Sequence, residues 1–325
     1  MNATLTSPEN AVTTLDSILK TVGKTPLIYL KRLSAISGID VYGKLEMANP
    51  AGSIKDRTSL SIIEEGIKNH TITSKTTLIE SSSGNMAIGL AQVCGYYNIP
   101  LIIVVDPKAN NHTLKILKAY GVRVDVVEKP SEDGGYLGSR LKRVEELLKE
   151  IPNSVWTNQY GNNANPMAHH ITMSEIVEKL PDVNYVFSAT STCGTIMGCA
   201  SYIKANHIPT KLIAVDAEGS VIFGKKPKER FIPGHGAGLP SKFLNKKDVD
   251  DVVHISDKEC VSGCLQLLKT ESILAGGSSG AVTTAFLKMA PSLPKKSKCV
   301  LILCDRGERY LDTIYNEEWV AKKLN

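Results

Sequence analysis

Short runs of consecutive apolar, often β-branched residues recur along the chain. Each is followed by a stretch in which apolar positions fall three or four apart. The runs VYGKLE (41–46), TTLIES (76–81), LIIVVD (101–106) and VRVDVVE (122–128) predict strands, as do NYVFSAT (184–190), KLIAVDA (211–217), DVVHIS (251–256) and CVLILC (299–304). Between them DRTSLSIIEEGIKNH, GGYLGSRLKRVEELLKEI and AVTTAFLKMA carry the helical period. No segment repeats. Strands that are apolar throughout need cover on both faces, so the alternation predicts an α/β fold with open, mainly parallel sheets and helices on both sides. Ligands in such folds bind at the carboxyl ends of strands, where loops lead into helix N-termini.

Three of those joints are rich in glycine and small hydroxyl residues: ESSSGNMAIGLA (80–91), ATSTCGTIMGCA (189–200) and AGGSSGAVTTA (275–285). Each joins backbone freedom to donors at a helix start, a combination that holds anionic groups. Each taken singly also reads as an ordinary capped turn. A fourth joint, NPAGSIKDR (49–57), sets Lys55 at the mouth of a helix, where the macrodipole disfavours a second positive charge. Two readings are open there. Lys55 is a solvated surface lysine, or it is an amine that works uncharged as a nucleophile.

Composition narrows the class. A chain of 325 residues, 42% hydrophobic and 22% charged, reads as a globular protein with room for two lobes. The net charge of +5 is dispersed, and the basic runs GKKPKER and PKKSK lack interleaved aromatics, so they read as solvated loops and no nucleic-acid partner is expected. Seven cysteines form no C-x-x-C pair, and Cys299 and Cys304 lie within the apolar KCVLILCD. Reduced, buried thiols are expected, with neither a disulfide framework nor a metal site. His169 and His170 are adjacent, so a helix points them apart. The start MNATLTSPENAVTTLDSILK lacks a basic segment followed by an apolar block, and no apolar run nears the roughly 20 residues needed to span a bilayer. A cytoplasmic protein with no membrane partner is the expectation.

The blocks NPAGSIKDR, ESSSGN, QYGNNANPMAHH, STCGT, IPGHGAGLP, AGGSSGA and DRGERYLD stand in the order seen in pyridoxal-phosphate enzymes of the cysteine synthase group. The chain resembles that group from VGKTPLIYL to its C-terminus. The resemblance implies PLP fold type II, the tryptophan synthase β-like architecture, with a large cofactor-binding domain (1–46 and 157–325) and a small mobile domain (47–156). It implies pyridoxal 5′-phosphate as cofactor, amino acids as substrates and a homodimer. Lys55 would carry the cofactor as a Schiff base, which removes the charge at the helix mouth, and would then serve as general base. Ser191, Thr192, Cys193, Gly194 and Thr195 would cradle the phosphate, departing at Ser191 and Cys193 from the group's Gly-Thr-Gly-Gly-Thr. Asn85 would meet the phenolic oxygen and Ser278 the pyridine nitrogen. Ser82, Ser83, Gly84, Asn85 and Met86 would receive the substrate carboxylate, with Gln159 near it and Tyr160 in contact with substrate. Met86 stands where the group commonly has threonine, and Cys304 where it usually has proline. His235, in a glycine-rich turn, reads either as lining the cleft or as a surface or packing residue, and Asp305 and Arg306, at the ligand-facing end of a strand, would shape the site beneath the ring.

Within the group, GSVIFG, GGYLGSR, STCGTIMG and DRGERYLD resemble most the N-(2-amino-2-carboxyethyl)-L-glutamate synthases. These join O-phospho-L-serine to L-glutamate by β-replacement through an α-aminoacrylate, towards 2,3-diaminopropionate and the siderophore staphyloferrin B. Arg140 would bind the leaving phosphate, although it also reads as an exposed helix arginine. No motif reads as a clamp for glutamate. The alternatives are a cysteine synthase using O-acetylserine or O-phosphoserine with sulfide, against which Met86 and DRGERYLD count, and a non-catalytic regulatory protein that binds the cofactor. A nucleotide-binding module would need a G-x-x-x-x-G-K-[ST] run that the chain lacks.

Overall fold

Apolar residues on both sides of the predicted strands do find two-sided cover. A computed structural model describes residues 14–132, 134–224 and 226–324. The first thirteen residues, which belong to the stretch read for a leader and to the expected large domain, lie outside it, as does Lys225 of the GKKPKER run.

The order begins β1 (Leu27–Tyr29), α1 (Lys31–Ser37), β2 (Asp40–Leu45), α2 (Lys55–Lys68), β3 (Thr77–Ser81) and α3 (Asn85–Tyr97). It continues with β4 (Leu101–Val105), α4 (Asn111–Ala119), β5 (Arg123–Val126), α5 (Gly135–Glu150), β6 (Ser154–Trp156) and α6 (Ala164–Lys179). Then come β7 (Tyr185–Ala189), α7 (Gly194–Ala205), β8 (Lys211–Ala217), β9 (Asp251–Ile255) and α8 (Asp257–Glu271). The chain closes with α9 (Gly277–Met289), β10 (Lys298–Leu303) and α10 (Glu317–Leu324).

Two sheets result. One has six strands in the order β1-β2-β10-β7-β8-β9, the other four in the order β5-β4-β3-β6. Every pairing is parallel except β1 with β2. The four-stranded sheet is built wholly from Thr77–Trp156, whereas the six-stranded sheet draws strands from both sides of that segment. All eight predicted strands are present, shifted by no more than two residues at either end. β1 and β6 are additional. Each spans three residues, too few to show a period.

The two-residue alternation of strand side chains sorts the cores. In β10, Cys299, Leu301 and Leu303 face α8 and α9, while Val300 and Ile302 join the cluster with α6 and α7. In the smaller sheet Leu78, Leu101, Ile103 and Val105 pack with α2, α3 and α4, and Ile79, Ile102 and Val104 pack under α5. Burying each such side chain contributes about 1.5–3 kcal/mol.

α2 belongs to both cores. Ile54, just before it, packs with the six-stranded sheet, and Ile62 and Ile63 pack with the four-stranded one. Its first turn is fixed by a buried ion network. Arg57 donates to Glu46 from Nε at 2.7 Å and to Glu175 from Nη2 at 2.7 Å, and Lys44 donates to Glu175 at 2.6 Å. Each of these charges would cost several kcal/mol unpaired, and here two cations meet two carboxylates. The network holds β2, α2 and α6 together two residues from Lys55.

No helix among the described residues is long and apolar enough to cross a membrane. The seven cysteines are free, and all but the half-buried Cys304 are buried.

Candidate active site

The loop before α2 is sewn to the end of β10. Ile54 donates its N–H to Cys304 O at 2.8 Å, and Ser53 bridges Asp305. The start of α9 joins the same seam, since Ser279 Oγ accepts from Cys304 N at 2.8 Å and Gly276 N donates to Asp305 O at 3.0 Å. Lys55 and Ser278 are therefore held on either side of one strand end, and Ser278 hydrogen-bonds the Cys304 thiol.

Lys55 forms no ion pair among the described residues. Burial pushes its amine below the ordinary lysine value, and the Cys304 and Cys193 sulfurs lie near it. Burial without an ion pair favours the neutral amine, the form that the nucleophile reading of Lys55 requires. Both thiols stay protonated at neutral pH, because burial pushes Cys193 up to about 11 and Cys304 to about 12.

The Ser191–Thr195 loop turns into α7 through Cys193 in the left-handed region (φ 64°). Thr192 Oγ1 accepts from Gly194 N at 3.2 Å. Asn165 locks this turn. Its Nδ2 donates to Thr192 Oγ1 at 3.1 Å and to Gln159 O at 2.8 Å, while its Oδ1 accepts from Thr58 of α2 at 3.2 Å. A Cβ at Gly194 would lie 2.2 Å from Asn165 Oδ1, so only glycine fits there. One amide thus ties together α2, Gln159 and the loop.

Ser82, Ser83 and Gly84 lie between β3 and α3, which Asn85 opens, with Ser83, Gly84 and Asn85 half-buried. Met86 turns its side chain away, into the core beside Ser59 Oγ at 3.5 Å, so it offers the loop only its backbone. Asn85 is engaged. Its Nδ2 donates to Asp305 Oδ2 at 2.7 Å and hydrogen-bonds the Tyr310 hydroxyl, and its Oδ1 accepts from Arg309 Nη1. Asp305 also accepts from Tyr310 at 2.5 Å, while its Oδ1 is buried without a partner. Arg306 is exposed and donates to Met47 O at 2.9 Å, away from these groups.

Gln159 is buried, and its N–H reaches Glu80 at 3.3 Å. Tyr160 hydrogen-bonds Ser191, with the charges of Glu80, Arg140 and Arg230 close by. Arg140 lies 3.2 Å from Asp106 across Nε–Oδ2, a contact poorly aligned for a hydrogen bond. Its side chain is 16% exposed, which places it well inside the surface where the bland reading had it. His169 is buried between Thr58 and Thr172, and His170 packs on Tyr202. His235 is buried with its Nδ1 3.5 Å from Cys260 Sγ, a packing position.

Sequence reasoning passed over Asn165, Glu80 and Arg230. The first lies in a block already singled out, and the last in a basic run read as solvated.

A family model described as pyridoxal-phosphate dependent enzyme matches residues 18–305. The chain is similar to the O-acetylserine dependent cystathionine beta-synthase of Helicobacter pylori, with 34% identity, a TM-score of 0.86, and 94% of this chain and 100% of that one covered. It is similar to O-acetyl serine sulfhydrylase isoform 3 of Entamoeba histolytica, with 32% identity, a TM-score of 0.86, and 97% and 95% covered. A hydrogen sulfide-producing enzyme of Fusobacterium nucleatum matches with 31% identity, a TM-score of 0.85, and 92% and 100% covered.

Proposed function

The chain belongs to the pyridoxal-phosphate dependent enzyme family, in its cysteine synthase group, and from that premise we propose that it joins O-phospho-L-serine to L-glutamate by β-replacement. The products are N-(2-amino-2-carboxyethyl)-L-glutamate and phosphate, in the supply of 2,3-diaminopropionate for a siderophore. The reading includes a homodimer and inward movement of residues 47–156 on substrate binding.

The donor set suits the cofactor. It combines a half-buried amine without an ion pair among the described residues, a glycine-tight turn at the head of a 12-residue helix, and the buried hydroxyl of Ser278. Lys55 would hold the aldehyde carbon, residues 191–195 the phosphate, Asn85 the phenolic oxygen, and Ser278 the ring nitrogen. When bound, pyridoxal phosphate supplies an electrophilic carbon and a sink for the electron pair released at Cα.

Lys55, displaced by the donor's amine, takes the proton from Cα. The loop 82–86 and Gln159 hold the donor's carboxylate, and Arg140 draws off the phosphate as the Cβ–O bond breaks. The α-amine of glutamate then adds at Cβ, and Lys55 returns the proton to Cα. Ser278, a hydroxyl in place of a carboxylate, leaves the ring a moderate sink, which suits elimination over a long-lived carbanion.

The observation that carries the phosphoserine reading is Arg140, whose charge acts on Tyr160 and whose Nε, 3.2 Å from Asp106, makes no aligned hydrogen bond. A second reading, O-acetylserine with sulfide or a thiol, is favoured by the activities named for the similar proteins. Product identification separates the two: the enzyme is mixed with cofactor, each donor, and glutamate or sulfide. Condensation with glutamate is expected from phosphoserine, and turnover of O-acetylserine with sulfide alone would sink the first reading.

A further inference from the structure

Arg230 ends the basic run 225–230 but leaves solvent. Its Nη1 donates to His235 O at 3.0 Å, and the guanidinium lies against Gly236, where a Cβ would come within 2.6 Å of Nη1. Gly236 donates its N–H to Thr190 O at 2.7 Å, next to Ser191. Two hydrogen bonds in series thus hold the guanidinium above the carboxyl end of β7. Nε is buried without a partner, and Arg230 has no ion pair among the described residues. An N–H stripped of water and given nothing is costly unless a ligand completes it.

The guanidinium's planar fork matches a carboxylate. Arg140 stands near Tyr160 too, on α5 over the other sheet, but Asp106 already balances it in part. The donor's carboxylate has the loop 82–86 and its phosphate has Arg140. What lacks a cation is the incoming nucleophile. Sulfide requires none, whereas a dicarboxylic amino acid brings two charges that must be matched.

We propose that Arg230 anchors a carboxylate of the incoming nucleophile, and that the second substrate is therefore a dicarboxylic amino acid with a free α-amine. The assignment rests on the β-replacement reading above. Wild-type holoenzyme is compared with Arg230→Gln and Arg230→Lys, each checked for folding by circular dichroism and for bound cofactor by absorbance. Phosphate released from O-phosphoserine alone reports the donor's half of the reaction, and the glutamate dependence of product formation reports the other. The KM for glutamate rises about ten- to hundredfold in Arg230→Gln, the range for losing a hydrogen bond to a charged partner, and less in Arg230→Lys. The phosphate burst is retained, and the rise in Tm that glutamate gives the wild-type holoenzyme disappears in Arg230→Gln. A burst that falls as far as the glutamate reaction assigns Arg230 to the donor and overturns the proposal. An unchanged glutamate KM in Arg230→Gln overturns it while leaving the β-replacement reading intact. A wild type that makes no product from glutamate with either donor overturns both.

Discussion

Lys55 is half-buried and has no ion pair among the described residues, and on the proposed reading that imbalance favours the neutral amine the chemistry requires. Lys55→Ala is expected to abolish turnover and the visible absorbance of bound cofactor while the far-ultraviolet circular dichroism stays native. Arg140→Ala should raise the KM for O-phosphoserine by about tenfold or more and move that for O-acetylserine little. Equal losses with both donors would remove the phosphate role. His235 gives a pH test. Burial holds its imidazole at about 4, below the ordinary 6.5, so the unfolded chain takes up a proton that the folded one refuses. Its contribution is complete above 6.5 and is lost as pH falls through 4. Glu175, held at about 2 by Arg57 and Lys44, acts in the same sense below 4.5. Asp56, raised by burial to about 7, acts in the opposite sense and loses its contribution as pH rises towards 7. Replacing His235 by Gln should flatten the decline in urea-unfolding stability between pH 6.5 and 4, relative to wild type.

The strands were legible because both of their faces are buried, which writes them as unbroken apolar runs. β1 and β6 were not, since three residues carry no period and their pairing is a tertiary matter. The loops around Lys55, Asn85 and Ser278 were legible as glycine and hydroxyl clusters at strand ends. The partners that shape them were not. Asn165 matters only because α6 brings it against Gly194, and Arg230 only because a glycine-rich turn folds its basic run back over β7. Spacing along the chain encodes neither contact. Gly194→Ala tests the first. The added methyl has no room beside Asn165, so the turn must open, at a cost of about 1–3 kcal/mol and with weaker cofactor binding in equilibrium titration. Combining it with Asn165→Ala should cost less than the two changes summed, because the double variant removes the clash.

At the scale of the molecule, the four charged side chains Lys44, Glu46, Arg57 and Glu175 decide how two sheets share one helix. Arg57→Met would leave Glu46 and Glu175 facing each other across a dry interior, with only Lys44 to answer both. A loss of about 3–5 kcal/mol is expected in denaturant unfolding. Glu46→Gln in the same chain should recover part of it by removing one stranded charge.

α2 is pinned at its first turn and carried along its length by a different body. A lever clamped in this way sweeps widest at its free tip, near Lys68, and scarcely at the fulcrum, where Lys55 sits. On the proposed reading, an inward tilt of residues 47–156 would shift the amine of Lys55 least and the walls of the substrate pocket most.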